Sequence, residues 1–157
     1  FFRHTKNLGM DFESLEKRGL FKFLDLPTVI DKGALNSIIQ STMEELISFD
    51  ALRLVIDPIT ILIHLLSPIE LRATIHNTFK RIAENLDATI ILVANTNSHE
   101  DRIIHGIIEF LVDVVLRIEV AREGGERIKR LLRILKFRGR RIKQHTIVFT
   151  IGEESGQ

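Results

Sequence analysis

Residues Arg53–Leu62 read RLVIDPITIL, a short run of branched residues that ends in one aspartate followed at once by a proline. Branched aliphatic residues favour strands, and proline cannot continue a hydrogen-bonded ladder. Leu52–Asp57 is therefore expected as a short strand with Asp57 at its carboxyl end. Open α/β sheets place their ligands at that end of their strands. An ionised carboxylate buried there is unfavourable unless it is paired or linked to a metal. Asp57 is thus a candidate for orienting Mg²⁺ beside phosphates, and equally a polar stop to an ordinary core strand.

The residues on either side give the strand its context. Upstream, Asp31–Ser48 carries Leu35, Ile38, Ile39, Thr42, Met43, Leu46 and Ile47 on one helical stripe. Downstream, Ser67 and Pro68 supply a cap and a first turn for a helix reaching about Leu86. Thr89–Ala94, TIILVA, is an uninterrupted apolar run, the pattern of a strand buried on both faces. Strands alternating with amphipathic helices indicate an α/β fold with parallel strands. After the loop NTNSHEDR and a short helix near His105–Phe110, three strands are expected at Leu111–Val120, Arg127–Phe137 and Thr146–Ile151. Gly124-Gly125 supplies a hairpin turn between the first two. Nearer the start, residues 1–8 read as the end of a helix closed by Gly9, and Asp11 caps a short helix that stops at Gly19. Leu20–Leu26 is expected as a strand ending at Pro27. No internal repeat or linker interrupts residues 1–157, which read as a single domain.

Composition removes several classes of function. The 157 residues are 45% apolar and 27% charged, enough for a core, with a net charge of +1. There is no cysteine, so disulfides, thiolate nucleophiles and cysteine-bound zinc are excluded. The longest apolar stretch, LVIDPITILIHLL, is broken by Asp57, Pro58 and His64 and is too short to span a bilayer. No charged-then-apolar leader opens the sequence, so a cytoplasmic domain without membrane association is expected. The opening FFRHTKNLGMD reads as mid-helix without a cap, the pattern of a fragment. Of the six histidines only His99 and His105 cluster with acidic residues, Glu100 and Asp101, and without compact ligand spacing. No Ser–His–Asp arrangement is present either.

Charge is distributed unevenly. Between Arg117 and Lys143 eleven Arg or Lys residues face three Glu, leaving +8. Within LKFRGRR, Lys136 and Arg138 are two apart on an expected strand, so they share a face roughly 7 Å apart. Phe137 is then expected to point into the core. Such a pair can clamp a phosphate, with Gly139 turning the chain just beyond. A charged edge strand kept soluble accounts for the same residues. Asn95, Thr96 and Asn97 close the TIILVA strand at the edge that carries Asp57, where they can meet a phosphate or its attacking water, or simply turn the chain. No GxxxxGK[ST] loop occurs, so these residues lack the usual phosphate cradle.

Taken in order, KNLGMDFESLEKRGLFKFLDL, RLVIDPITIL, ILVANTN and the closing hairpin with its Lys-x-Arg-Gly element resemble the KaiC-type branch of the RecA/RadA P-loop ATPase superfamily, over essentially the whole chain. The resemblance implies a RecA-like three-layer α/β core with parallel strands and a C-terminal antiparallel hairpin, truncated at its N-terminus. It makes Asp57 the Walker B carboxylate acting on Mg²⁺ or its water, and sets Asn95 and Asn97 near the γ-phosphate of ATP. Lys136 and Arg138 would reach across a subunit boundary to the γ-phosphate of a neighbour's ATP, which implies a homo-oligomeric ring, usually a hexamer. In the family the Walker A loop and catalytic glutamates lie just upstream of the residue matching Phe1, so this chain alone is expected to be inactive. Glu109-Phe110 stand where the clock members carry their phosphorylated Ser-Thr pair, so the likeness extends to fold and ATPase machinery and not to that modification. Two other readings remain open: a recombinase paralogue whose basic hairpin and Arg102 loop track single-stranded DNA, a nucleic acid partner held through its phosphates, and a non-catalytic regulatory or assembly module.

Overall fold

Asp31 starts the longest helix for a local reason. Its Oδ1 accepts from the Ala34 N–H at 2.8 Å, satisfying one of the donors that a helix start leaves open. This is α3 (Lys32–Ser48), preceded by the short helices α1 (Phe2–Asn7) and α2 (Phe12–Lys17). The computed structural model describes residues 1–26, 31–95, 106–123, 127–142 and 145–150. It divides into two compact units, one of Phe1–Pro27, Leu116–Leu135 and Arg141–Gln157, the other of Thr28–Val115 and Lys136–Arg140.

The second unit holds the parallel pair β1 (Arg53–Ile56) and β2 (Thr89–Leu92), in register from Arg53↔Thr89 to Ile56↔Leu92. Each strand is fed by the same kind of turn. At the end of α3, Asp50 takes φ 51° and the Ala51 N–H reaches back to Leu46 O at 3.1 Å. Before β2, Asp87 also takes φ 51° and Ala88 N donates to Ala83 O at 2.9 Å. A left-handed residue just past a helix lets the next N–H close on an otherwise orphaned carbonyl.

Between the strands lie α4 (Thr60–Leu65), α5 (Pro68–Thr74), a π-helical turn Ile75–Lys80 and α6 (Arg81–Asn85). Ser67 caps α5 with a reciprocal pair: its Oγ accepts from Glu70 N at 3.4 Å, and its own N–H donates to Glu70 Oε2 at 2.7 Å. Glu70 is also bound by Lys32 Nζ at 2.9 and 2.8 Å. The Lys32 bond first, and the Ser67 bonds after it, hold the Glu70 carboxyl down to about 2. The π-helical turn, invisible in the sequence, sends both Ile75 and Phe79 into the core. There they join Leu35, Met43, Leu46, Ile59, Leu62, Leu71 and Ile108.

Burial departs from the sequence reading in two places. Ile47 is 58% exposed, so the α3 stripe is narrower than expected. Only one face of β2 is covered: Ile90 and Leu92 pack on the core, whereas Ile91 and its register partner Val55 are exposed. An uninterrupted apolar run does not by itself guarantee a helix on each side.

In the first unit Phe1, Phe2, Phe12, Phe21 and Phe23 form an aromatic cluster, with Phe1 stacked on Phe23 at a centroid distance of 4.5 Å. Asp11 Oδ1 accepts from Ser14 N, capping α2, and Gly9 and Gly19 take positive φ at the ends of α1 and α2 as expected. Leu20–Leu26 is not a strand: the Phe23 N–H donates to Glu16 Oε1 at 3.1 Å instead of a ladder carbonyl, and Phe21 and Phe23 turn to the other rings.

The remaining strands are β3 (Val114–Glu123), β4 (Arg127–Phe137) and β5 (Thr146–Phe149), in sheet order β3-β4-β5 with β5 antiparallel to β4. A helical segment over residues 106–111 takes Leu111, so β3 begins three residues later than the pattern predicts. Glu119 on β3 binds Arg133 on β4 at 2.9 Å. Leu116, Ile118 and Val120, alternating along β3, are exposed. None of the described helices is long and apolar enough to cross a membrane.

Candidate nucleotide site

Asp57 is the first residue beyond β1 and is exposed, so it is not a buried stop to the strand. One residue after β2 fixes the backbone on both sides of it. Val93 N donates to Ile56 O at 2.9 Å, and Val93 O accepts from Ile59 N at 2.8 Å. Ile59 is fully buried, so the segment is pinned two residues beyond the carboxylate. Asp57 itself has no hydrogen bond or ion pair with any described residue. Asn95, two residues past Val93, is also exposed. The parallel register therefore brings Asp57 and Asn95 out at the same sheet edge, as the sequence indicates. Asn97 and Thr96 lie outside the described residues, as do His99, Glu100, Asp101, His105 and the Gly124-Gly125 turn.

Thr60 adds a group that the sequence did not single out. It opens α4 three residues after Asp57, and its Oγ1 is buried without a hydrogen-bond partner among the described residues. A threonine directly after an Asp-Pro-apolar strand end is the only signal that marked it.

Lys136 and Arg138 converge elsewhere in the same unit, on the end of the helical segment 106–111. Lys136 Nζ donates to Glu109 O at 2.8 Å and Phe110 O at 3.0 Å. Arg138 NH1 donates to Asp113 Oδ1 at 2.7 Å, and NH2 to Phe110 O at 3.4 Å. Cationic side chains on the open carbonyls of a last helical turn satisfy them and oppose the negative end of the helix. The strand ends at Phe137, so Arg138 sits in the following turn, where Gly139 takes φ 78°. A side chain at Gly139 would have to occupy that left-handed conformation. Phe137 is 38% exposed and does not enter the core; the Arg140 guanidinium stands 5.9 Å from its ring centre. No hydrogen bond or ion pair among the described residues links this pair to Asp57 or Asn95.

The family model for the KaiC ATPase matches residues 1–156. The chain belongs to the KaiC ATPase family. Among solved structures it is similar to a KaiC-like protein of the hyperthermophilic archaeon Pyrococcus horikoshii, with a TM-score of 0.70 and 25% identity. That match covers 96% of this chain and 65% of the archaeal one, so these residues span about 65% of that relative's length. No curated protein sequence matches the chain significantly. The RecA-like α/β fold of the KaiC family, with parallel strands and a C-terminal antiparallel hairpin, is the fold of this chain.

Proposed function

We propose that the chain is part of a ring-forming ATPase that binds Mg·ATP at subunit interfaces. Asp57 serves the metal side of one site, and Lys136 and Arg138 serve the γ-phosphate of the neighbouring subunit's nucleotide. The observation that carries this reading is the exposed Asp57, without a partner among the described residues and held at the carboxyl end of β1 by the Val93 bonds on either side of it. Those are the properties of a group kept available for a ligand at the place where α/β sheets bind one.

The residues present fit one part of such a site. Magnesium keeps several waters and takes one or two carboxylates together with substrate phosphates. Among the described residues no cluster of three acidic or histidine side chains forms an all-protein metal cage. A lone aspartate reaching the ion directly or through water matches that division. When bound, Mg·ATP supplies the phosphoryl group and the charge neutralisation its transfer needs. Asp57 orients, Asn95 offers an amide at the same edge, and Lys136 and Arg138 supply positive charge. Because no GxxxxGK[ST] loop occurs in these residues, the chain by itself binds ATP poorly. In the complete protein, Asp57→Asn is expected to lower ATP hydrolysis by about 10²–10³-fold, the scale for removing one organising charge. A loss of less than about threefold removes Asp57 from the site.

Phe137 favours a second reading. Its ring is exposed beside Arg140 and lies between Lys136 and Arg138 in sequence, an aromatic surface in a basic setting suited to stacking a base of single-stranded DNA. Salt-sensitive binding of oligothymidylate that is weakened by Phe137→Ala supports it. Absence of binding at low ionic strength excludes it.

A further inference from the structure

We propose that Asp113 is a positioning residue: it holds the Arg138 guanidinium by one edge and leaves the pair Lys136–Arg138 presenting its remaining donors to a phosphate. This rests on the reading of that pair as a phosphate-binding fork. Asp113 precedes β3 by one residue and Arg138 follows β4 by one, so closing the two strands against each other brings them together. The contact is double. The Arg138 backbone N–H donates to Asp113 O at 2.8 Å, and its NH1 donates to Asp113 Oδ1 at 2.7 Å. Phe110 O takes NH2 from the helix end at 3.4 Å.

Counting donors separates holding from sequestration. A guanidinium has five N–H donors and an ammonium three. Among the described residues, Asp113 and Phe110 engage one each on Arg138, leaving three, and the Glu109 and Phe110 carbonyls engage two on Lys136, leaving one. The Arg138 side chain is 49% exposed, so it can take an anion without releasing Asp113. A long side chain already fixed at its tip loses less freedom when a ligand arrives. The exposed ion pair itself adds little to stability, so a purely stabilising role does not explain the double contact.

Electrostatics gives the test its sign. Asp113 is negative, so if it were only a neighbouring charge, removing it would strengthen anion binding. If it positions Arg138, removing it weakens binding despite the more positive surroundings. The 157-residue chain is titrated with inorganic pyrophosphate at low ionic strength, following the Arg138 Nε–H signal by NMR. The wild type is expected to shift saturably. Asp113→Ala is expected to bind roughly 2- to 10-fold more weakly, the scale of re-ordering one long side chain. Asp113→Asn keeps an acceptor oxygen and loses the charge, so it is expected to bind as tightly as the wild type or tighter. Its agreement with the wild type also shows that the alanine effect is not a folding defect.

Equal or tighter binding by Asp113→Ala overturns the positioning role while leaving the fork reading intact. Equal weakening by Asn and Ala overturns it too, because geometry is then not what Asp113 supplies. A wild-type Arg138 signal that pyrophosphate does not move overturns the fork as a phosphate site, and the positioning role with it.

Discussion

Replacing Ile59 by alanine tests whether the core fixes the strand end that carries Asp57. Ile59 is 0% exposed, and its N–H is one of the two bonds to Val93 that bracket the carboxylate. The substitution removes three carbons from a closed environment, about 2.4 kcal/mol at roughly 0.8 kcal/mol each. Adding the cavity left in the buried cluster to which Ile59 belongs raises the expected loss to about 3–4 kcal/mol. Urea unfolding followed by far-UV circular dichroism reads this as a lower midpoint at unchanged slope. In a thermal scan it corresponds to roughly 10 °C for a chain of this size. Should the two units unfold separately, the shift falls in the transition of the second. Ile69→Ala is the control: Ile69 is 83% exposed, and its truncation is expected to change stability by less than about 0.5 kcal/mol. Amide exchange at Ile59 and Val93 is expected to accelerate in the Ile59 variant, because the same residue anchors that pairing. A loss below about 1 kcal/mol, or equal losses at Ile59 and Ile69, would refute the claim that packing holds the site edge.

Two further perturbations probe the local devices. The Glu70 carboxyl is held down to about 2, first by Lys32 and then by Ser67, so its contribution is complete above its ordinary value of 4.5 and is lost as pH falls towards 2. A carbon-detected NMR titration is expected to show this low midpoint, and Lys32→Met to raise it; an unchanged midpoint in the variant contradicts the Lys32 assignment. Asp50→Gly and Asp87→Gly relieve a non-glycine residue at φ 51°, and each is expected to add about 0.5–1 kcal/mol. Lower urea midpoints in both would show that the aspartate side chains, not the turns, secure the two strand entries.

What the sequence reveals depends on whether the cause is local. Asp31, Asp11 and Ser67 cap helices through bonds three residues away, and all three starts are readable from residue type and spacing. Arg127–Phe137 is likewise bounded as its pattern indicates. The helix α4 was not legible, because TILIHL is short, branched-rich and continuous with the apolar run before it. LFKFLDL carries a strand pattern, yet its Phe23 N–H is taken by Glu16 and its rings by other phenylalanines, which no local rule specifies. At the site, the period of the strands placed Asp57 and Asn95 at one edge. The partners of Lys136 and Arg138 were beyond reach, because Glu109, Phe110 and Asp113 meet them only once β3 and β4 come together.

The central claim is that one subunit supplies Asp57 and its neighbour supplies Lys136 and Arg138. Complementation in the complete protein tests it most directly. An Asp57→Asn subunit and a Lys136→Ala, Arg138→Ala subunit are each expected to be inactive in ATP hydrolysis. Mixed one to one, they form heterologous interfaces at which an intact Asp57 faces an intact fork, about a quarter of the total if assembly is random. The account predicts recovery of activity on that scale. A mixture as inactive as its two components would contradict it.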